Sequence, residues 1–212
     1  MSLYPIHLHL EGRTCVVIGG GQVAERKVSG LRAAGAKIRL VSPIATPKLQ
    51  EIADSGEAEW RREPYQNQHL DGAFLVMACT DNRAVNAAVT ADAQARNIFV
   101  LCADAPDAGS FISPTVIRRG DLLLTVSTGG GSPTLAAVLR EQLENEFGPE
   151  WAALTALISE MREIVKTNSD EAGRKAAVRR VIEDKTARDL LAQGKQLEAE
   201  TRIRKCLSSS SE

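Results

Sequence analysis

An apolar run at residues 16–18 leads directly into three glycines, and this pattern could hold the pyrophosphate of a dinucleotide. The spacing reads Gly19-x-Gly21-x-x-Ala24. The first glycine allows a tight turn, the second lets the backbone approach a phosphate, and the alanine allows close packing of a helix on a sheet. The helix that follows would direct its unpaired N–H groups and the positive end of its dipole at the anion. Cofactor contacts are therefore predicted at Gly19, Gly21, Gln22, Val23 and Ala24, and a glycine turn without a ligand is the alternative.

The end of the second predicted strand lacks the acidic residue that usually binds the ribose of NAD. Ser42 stands there instead and can hydrogen-bond a ribose hydroxyl, while Pro43 and Ile44 can flank the adenine. Arg39, on the preceding strand, would suit the 2′-phosphate of NADP, but a solvated arginine is the simpler reading. The residues alone therefore leave the choice between NAD and NADP open.

Polar residues also follow two apolar runs, at 73–79 and 98–102, which predict buried parallel strands. Thr80 and Asp81, which are also predicted cofactor contacts, follow the first run, and Asp104 follows the second. Ligands of such sheets bind outside the carboxyl ends of the strands, so we expect these residues to converge with the glycine turn on one crevice. Asp81 is also predicted to be the N-cap of the next helix. For Asp104, which precedes Ala-Pro, turn formation is the alternative role.

Strand-like and helix-like runs alternate through the first half of the chain, which predicts an α/β fold with a Rossmann-like parallel sheet. His7 and His9 alternate with apolar residues and predict the exposed face of a first strand. After Pro114 two short strands precede a helix that begins at Ser132 as its N-cap. We expect a small β/α dimerisation unit there, followed by a helical C-terminal region. The predicted domains are 1–113 (NAD-binding), 114–148 (dimerisation) and 149–212 (helical).

The helical region carries apolar residues at helical spacing, which predict a core or dimer contact. They are Leu154, Leu157, Ile158, Met161, Ile164 and Val165. Beyond them, a cluster of basic residues between 174 and 180 is interpreted as a solvated helix face. The final serines, 208–211, are interpreted as a frayed tail.

Composition excludes several other classes of function. Lys and Arg total 26 against 27 Asp and Glu, and aromatic residues make up only 4%, so neither nucleic-acid binding nor attraction to an anionic membrane is expected. Four separated cysteines without a Cys-x-x-Cys pair, and no secretory signal or long apolar run, favour the cytoplasm. The three histidines form no metal-ligand set, so we expect no resident metal.

Four stretches together resemble the siroheme synthase N-terminal family. They are residues 17–27, residues 78–81, residues 104–106 together with the Ser-Phe-Ile-Ser-Pro sequence at 110–114, and the Ser-Thr-Gly-Gly-Gly-Ser-Pro sequence at 127–133. Members of that family are precorrin-2 dehydrogenases, and several are also sirohydrochlorin ferrochelatases. Some are fused to a uroporphyrinogen methyltransferase, a domain that we do not expect in this chain.

The resemblance implies that NAD lies over the glycine turn and residues 43–44. It implies that the tetrapyrrole, precorrin-2 or sirohydrochlorin, lies between the Rossmann unit and the segment after Pro114, with Fe²⁺ as a second substrate. Asp104 is implied as the catalytic residue, Ser110 and Thr128 as substrate contacts, and an intertwined homodimer as the assembly. Some members carry serine where Thr128 stands, which keeps a hydroxyl but makes regulation by modification doubtful. Arg118, Arg119 and Arg140 are candidates for binding the substrate's carboxylates.

Two alternatives to a bifunctional enzyme stay open from the sequence. The first is a dehydrogenase without chelatase activity, because both reactions would use the same pocket. The second is an NAD-sensing regulatory module, which would bind the nucleotide but would have no use for Asp104.

Overall fold

A computed structural model describes residues 3–161 and 170–208. The chain forms two compact units, Met1–Ser113 and Pro114–Glu212. Ile164 and Val165, which were predicted on an apolar helix face, lie outside the described residues, as do the serines after residue 208.

The first unit is built on a five-stranded sheet in the order β3-β2-β1-β4-β5, and every pair of neighbouring strands is parallel. The strands are β1 (Thr14–Ile18), β2 (Lys37–Val41), β3 (Ala58–Arg61), β4 (Leu75–Ala78) and β5 (Phe99–Cys102). The chain runs outward from β1 to β3 and then returns to the other side of β1. A crevice therefore opens between β1 and β4 at the carboxyl ends of the strands, which is where Rossmann folds bind their ligands. The predicted fold class is confirmed.

Three helices cover the two faces of this sheet: α1 (Gln22–Ala33), α2 (Pro47–Asp54) and α3 (Arg83–Ala95). Side chains alternate along each strand, so Val17 packs in the same core as residues of α1 and α2, whereas Val16 packs in the core that includes Val89 and Ala93 of α3. Both sides of the central strand are thus buried, as its continuous apolar sequence predicts.

Two local predictions are wrong. Residues 3–10 form no strand, and His7 and His9 are exposed in an irregular segment. The N-cap of α3 is Asn82 rather than Asp81, because the Asn82 side-chain oxygen accepts hydrogen bonds from the N–H groups of Ala84 at 3.0 Å and Val85 at 3.3 Å.

In the second unit, β6 (Thr115–Arg119) and β7 (Leu122–Val126) form an antiparallel hairpin, and α4 (Pro133–Glu146) follows. Ser132 is the N-cap of α4, as predicted, since its hydroxyl accepts a hydrogen bond from the Leu135 N–H at 3.2 Å. The remaining described helices are α5 (Glu150–Glu160), α6 (Glu171–Glu183), α7 (Lys185–Ala192) and α8 (Gln196–Ser208). Leu154, Leu157 and Met161 share a core with residues of α6, α7 and α8. The further division of this unit at residue 148 stays a prediction.

Across residues 3–161 and 170–208, every helix is either too short or too polar to cross a membrane.

Candidate active site

A cavity of about 890 Å³ lies over the carboxyl ends of β1, β2 and β4. Nine of the ten predicted cofactor residues line it: Gly19, Gly21, Gln22, Val23, Ser42, Pro43, Ile44, Thr80 and Asp81. Ala24 differs because it is fully buried in the core between α1 and the sheet. Its small side chain therefore serves helix packing, which is the role that the third position of the motif predicts.

Gly19 and Gly21 of the turn are glycines for different structural reasons. Gly19 has a φ of +116°, and a Cβ there would lie 2.6 Å from the carbonyl oxygen of Cys79, so the backbone itself requires glycine. Gly21 is the N-cap of α1 with a φ of −86°, and a Cβ at this position would meet nothing within 4 Å. The space beside Gly21 belongs to the cavity, at the helix end where backbone N–H groups bind phosphates. These residues fit a dinucleotide pyrophosphate.

The far wall of the cavity is formed by the loop after β2, together with Pro64 and Tyr65. The Ser42 hydroxyl donates to the Ile44 carbonyl at 2.7 Å, and the Trp60 indole donates to the Ser42 carbonyl at 2.9 Å. Since the Ser42 oxygen keeps its lone pairs, it can still accept a hydrogen bond from a ribose hydroxyl. The Ile44 side chain is 79% exposed, so an apolar surface is open to an adenine ring.

Tyr65 is held in place by Asp92, because its phenol donates to the Asp92 carboxylate at 2.8 Å. The pKa of the Tyr65 phenol is raised above its usual range, mainly because the phenol is buried. The hydrogen bond to Asp92 and the negative charge of Asp92 raise this pKa further. The ring is therefore a fixed, neutral part of the wall that sequence reasoning did not identify.

Arg39 does not line the cavity. Its guanidinium donates to the carbonyl oxygens of His69 and Asp71, both at 3.0 Å, and to Glu59 at 3.3 Å. These bonds tie β2 to the chain that enters β4. The arginine therefore has a structural role and does not present its charge to a 2′-phosphate in the cavity.

Asp104 lies just beyond β5, beside the same edge of the sheet. Its Oδ1 accepts hydrogen bonds from the Asn86 amide at 2.7 Å and the Cys102 thiol at 3.2 Å, and the Arg83 guanidinium is 4.0 Å from Oδ2. The hydrogen bond from Cys102, followed by that from Asn86, lowers the pKa of the Asp104 carboxyl below its usual value. The side chain is 29% exposed. It is therefore an ionised carboxylate that a substrate can reach.

Asn86 is the main site residue that sequence reasoning missed. It is 1% exposed on α3, and its amide nitrogen donates both to the Thr80 carbonyl at 2.9 Å and to Asp104. Thr80 lines the cofactor cavity, so one side chain connects the cavity wall to the carboxylate. A signal was present, because an asparagine on the buried face of an alanine-rich helix requires polar partners.

The two predicted substrate hydroxyls make local backbone contacts. The Ser110 oxygen accepts a hydrogen bond from the Val100 N–H at 2.8 Å and thus caps the outer edge of β5. Thr128, in the second unit, donates to the Ser132 carbonyl at 3.1 Å and accepts from the Ser132 N–H at 3.2 Å, which closes the loop before α4. Both contacts are compatible with a ligand, and the substrate role of each residue stays a prediction.

In the described part of the chain, no three His, Cys, Asp or Glu side chains are grouped to hold a metal ion. Burial raises the pKa of the Cys15 and Cys79 thiols to about 11, so these thiols are protonated at neutral pH. They pack in the core as small apolar groups.

The parallel sheet, the glycine turn at an open helix end and the cavity at the switch point define a dinucleotide-binding Rossmann domain. A family described as "Putative NAD(P)-binding" matches residues 6–115, and one described as "Sirohaem biosynthesis protein central" matches residues 119–146. The chain therefore belongs to the putative NAD(P)-binding family. The order of the two matches confirms the resemblance to the N-terminal part of siroheme synthases.

Relatives and a solved structure agree with this assignment. The chain is 43% identical over 166 residues to a siroheme synthase of Methylobacillus flagellatus. The aligned region covers 78% of this chain and 36% of the relative. It is 37% identical over 201 residues to a siroheme synthase of Methylococcus capsulatus, covering 94% of this chain and 42% of the relative. The chain thus spans well under half the length of these relatives. A structure named "SirC, precorrin-2 dehydrogenase" superposes with a TM-score of 0.72 at 27% identity, covering 96% of this chain and all of that one.

Proposed function

We propose that this protein oxidises precorrin-2 to sirohydrochlorin with NAD as hydride acceptor, in the synthesis of siroheme. The observation that carries the proposal is the ionised, accessible Asp104 carboxylate, which Asn86 joins to the wall of the cofactor cavity. Full-length coverage of a precorrin-2 dehydrogenase structure and 37–43% identity to siroheme synthases support the same substrate class.

The reaction removes a hydride and a proton from the tetrapyrrole. A bound nicotinamide supplies the hydride acceptor. Loss of the hydride leaves positive charge on the substrate, so the proton that must follow is acidic and a weak base is sufficient to take it. Asp104 is suited to this role because its lowered pKa keeps it ionised, although it also makes the carboxylate a weaker base. Its negative charge also stabilises the positive charge that develops beside it.

NAD rather than NADP is the proposed cofactor. Arg39, on the strand that leads to the ribose end, is bonded to backbone carbonyls and to Glu59. Ser42, whose oxygen can accept a hydrogen bond from a ribose hydroxyl, stands where a 2′-phosphate would need a cationic partner. Comparing the affinities for NAD⁺ and NADP⁺ by calorimetry tests this choice, and tighter binding of NADP⁺ would contradict it.

A second step, insertion of Fe²⁺ into sirohydrochlorin, is proposed at the same carboxylate. An anionic, partly exposed oxygen can accept a pyrrole proton or guide a ferrous ion, and the absence of a rigid metal cage in the described residues suits a metal that must be passed on. A dehydrogenase without this second activity is the rival. An NAD-sensing module is the second alternative function, and such a module would make no use of the exposed Asp104.

The decisive experiment follows absorbance anaerobically. Purified protein receives precorrin-2 and NAD⁺, and Fe²⁺ is added once oxidation is complete, with a control that lacks protein. Formation of sirohydrochlorin followed by accelerated siroheme formation supports both activities. Oxidation without accelerated metal insertion leaves the dehydrogenase alone, and absence of oxidation contradicts the proposal.

A homodimer in the cytoplasm is proposed for the assembly and location. Val116, Leu135 and Val138 in the second unit are large apolar residues that are 41–49% exposed, as expected of a surface that pairs with a second copy. The free cysteines fit a reducing compartment. Light scattering coupled to size-exclusion chromatography tests the dimer, and a monomer at micromolar concentration would contradict it.

A further inference from the structure

We propose that Asn86 is a positioning residue, whose buried amide holds the Asp104 carboxylate at a fixed place beside the wall of the cofactor cavity. This inference rests on the proposed function, because it concerns the base of that reaction. It also makes a claim about two side chains that can be measured without any turnover.

The register of the sheet creates the need for such a residue. β4 and β5 pair with Ala78 opposite Cys102, so Thr80 and Asp104 occupy equivalent positions beyond the ends of adjacent strands. The Ala103 N–H still donates to the Ala78 carbonyl at 2.9 Å. Beyond that bond, the hydrogen bonds that join the two loops run through the side chain of Asn86.

All the hydrogen-bonding capacity of the Asn86 side chain is used. Its nitrogen donates to the Thr80 carbonyl at 2.9 Å and to Asp104 Oδ1 at 2.7 Å. Its oxygen accepts from the Thr80 N–H at 3.1 Å and from the Thr80 hydroxyl at 2.8 Å. The orientation is unambiguous, since an ionised carboxylate only accepts and a backbone N–H only donates. A fully bonded, buried amide of this kind has a single conformation.

Packing alone does not account for asparagine at this position. Asn86 lies in the first turns of α3, on the buried face that continues with Val89, Thr90 and Ala93. Alanine or leucine would favour the helix more and would need no polar partners. What asparagine adds is a donor to Asp104 and a pair of bonds to the Thr80 backbone.

The other groups that face Asp104 cannot replace this connection. Cys102 donates at 3.2 Å but belongs to the same strand end as Asp104, so it does not join the carboxylate to Thr80. Arg83 lies 4.0 Å away, and its side chain is 91% exposed, so water screens its charge. The remaining donor to the carboxylate is the backbone N–H of Asp104 itself. Removal of Asn86 would leave the carboxylate held only from its own strand end, by Cys102 and its own N–H, and no longer joined to the cavity wall.

The test compares Asn86→Ala with Thr90→Val. Thr90 lies on the same buried face, and its hydroxyl donates to the Asn86 main-chain carbonyl at 2.8 Å, so the isosteric valine controls for lost stability in α3. We expect Asn86→Ala to lower kcat for precorrin-2 oxidation by about 10²-fold, the loss typical of a displaced catalytic group, with little change in KM for the tetrapyrrole. Thr90→Val should leave both constants and the pH profile unchanged.

A second readout is independent of activity. In carbon-13 NMR, the Asp104 carboxyl resonance, assigned by its loss in Asp104→Asn, should titrate at a higher pH in Asn86→Ala than in the wild type or in Thr90→Val. If Asn86→Ala does not fold, the wild-type protein alone still tests the inference. The side-chain amide resonances of Asn86 should then shift with pH at the same midpoint as the carboxyl resonance of Asp104. The inference would be overturned if Asn86→Ala left the titration of Asp104 unchanged. It would also be overturned if the wild-type Asn86 resonances did not respond to the titration of Asp104. If the wild type binds NAD⁺ but oxidises no tetrapyrrole, the proposed function fails while the NMR result still stands.

Discussion

The Thr46 hydroxyl donates a hydrogen bond to the Glu25 carboxylate at 2.9 Å, which links the beginning of α2 to the first turn of α1. The same oxygen accepts from the Leu49 N–H at 3.4 Å as the N-cap of α2. Lys48 lies 3.5 Å from the other oxygen of Glu25. These contacts hold together two helices whose N-termini border the cofactor cavity.

Thr46→Val should therefore destabilise the protein by about 1–2 kcal/mol, the usual cost of losing an N-cap. For a chain of this length, that corresponds to a fall in Tm of about 2–8 °C. Thr46→Ser keeps the hydroxyl and is the control. A Thr46→Val protein as stable as the wild type, with the fall in Tm in Thr46→Ser instead, would show that the methyl group and not the hydrogen bonds of the hydroxyl stabilises this corner.

Gly21→Val should abolish cofactor binding without unfolding the protein. The space beside Gly21 is open and its backbone angle is ordinary, so valine costs no more than about 1 kcal/mol through poorer capping. The side chain would then occupy the place of the phosphates, and we expect the affinity for NAD⁺ to fall by at least about tenfold. Calorimetry with NAD⁺, together with a thermal melt, measures both effects.

Gly19→Ala is the matched contrast to that variant. Its new Cβ would lie 2.6 Å from the Cys79 carbonyl at a φ of +116°, so the loss should appear first in Tm. A Gly19→Ala protein as stable as the wild type, or a Gly21→Val protein that binds NAD⁺ normally, would contradict this division of roles.

Asp104→Ala should lower kcat of precorrin-2 oxidation by about 10²–10⁴-fold, because that range is typical for the loss of a general base. NAD⁺ affinity should change little, since Asp104 does not line the cofactor cavity. Asp107→Asn removes an exposed acidic group from the same loop and should leave the rate unchanged. Normal oxidation by Asp104→Ala would exclude it as the base.

The pH dependence of this step follows from the hydrogen bonds to Asp104. A base must be deprotonated to act, and the pKa of Asp104 is lowered below its usual value of about 3.9, so activity should not decline through this group until the pH falls below that value. Cys102→Ala removes the bond that contributes most to the lowering, and the acidic limb of kcat should then move to higher pH. The dependence of kcat on pH, recorded at saturating NAD⁺, measures this shift. If the acidic limb lay at the same pH in Cys102→Ala as in the wild type, its assignment to the titration of Asp104 would be contradicted.

The strands, the glycine turn and most of the cavity wall could be predicted from the sequence because each is a local pattern. The spacing of Gly19 and Gly21 predicts the turn, and Ser42 and Thr80 follow segments that are typical of strands in a parallel sheet. The convergence of the loops then follows from the rule that parallel strands end at one edge.

What the sequence did not predict depends on distant partners. The role of Asn86 depends on the register between β4 and β5, which brings Thr80 and Asp104 side by side. His7 and His9 alternate with apolar residues like a strand, but alternation makes a strand only where a sheet edge pairs with it. Asp81 and Asn82 are equally acceptable caps by residue type, and the extended backbone at Asn82 decides between them.

The glycine turn and the loop after β2 are also in direct contact. The Thr46 N–H donates to the Gly20 carbonyl at 2.9 Å, and a side chain at Gly20 would collide with the carbonyl oxygen of Ile44. The surfaces suited to the phosphates and to the adenine are thus joined by contacts within the chain itself. Binding need not order either loop, so little conformational entropy is lost. Association with the nucleotide should accordingly be a single fast step rather than encounter followed by slow closure.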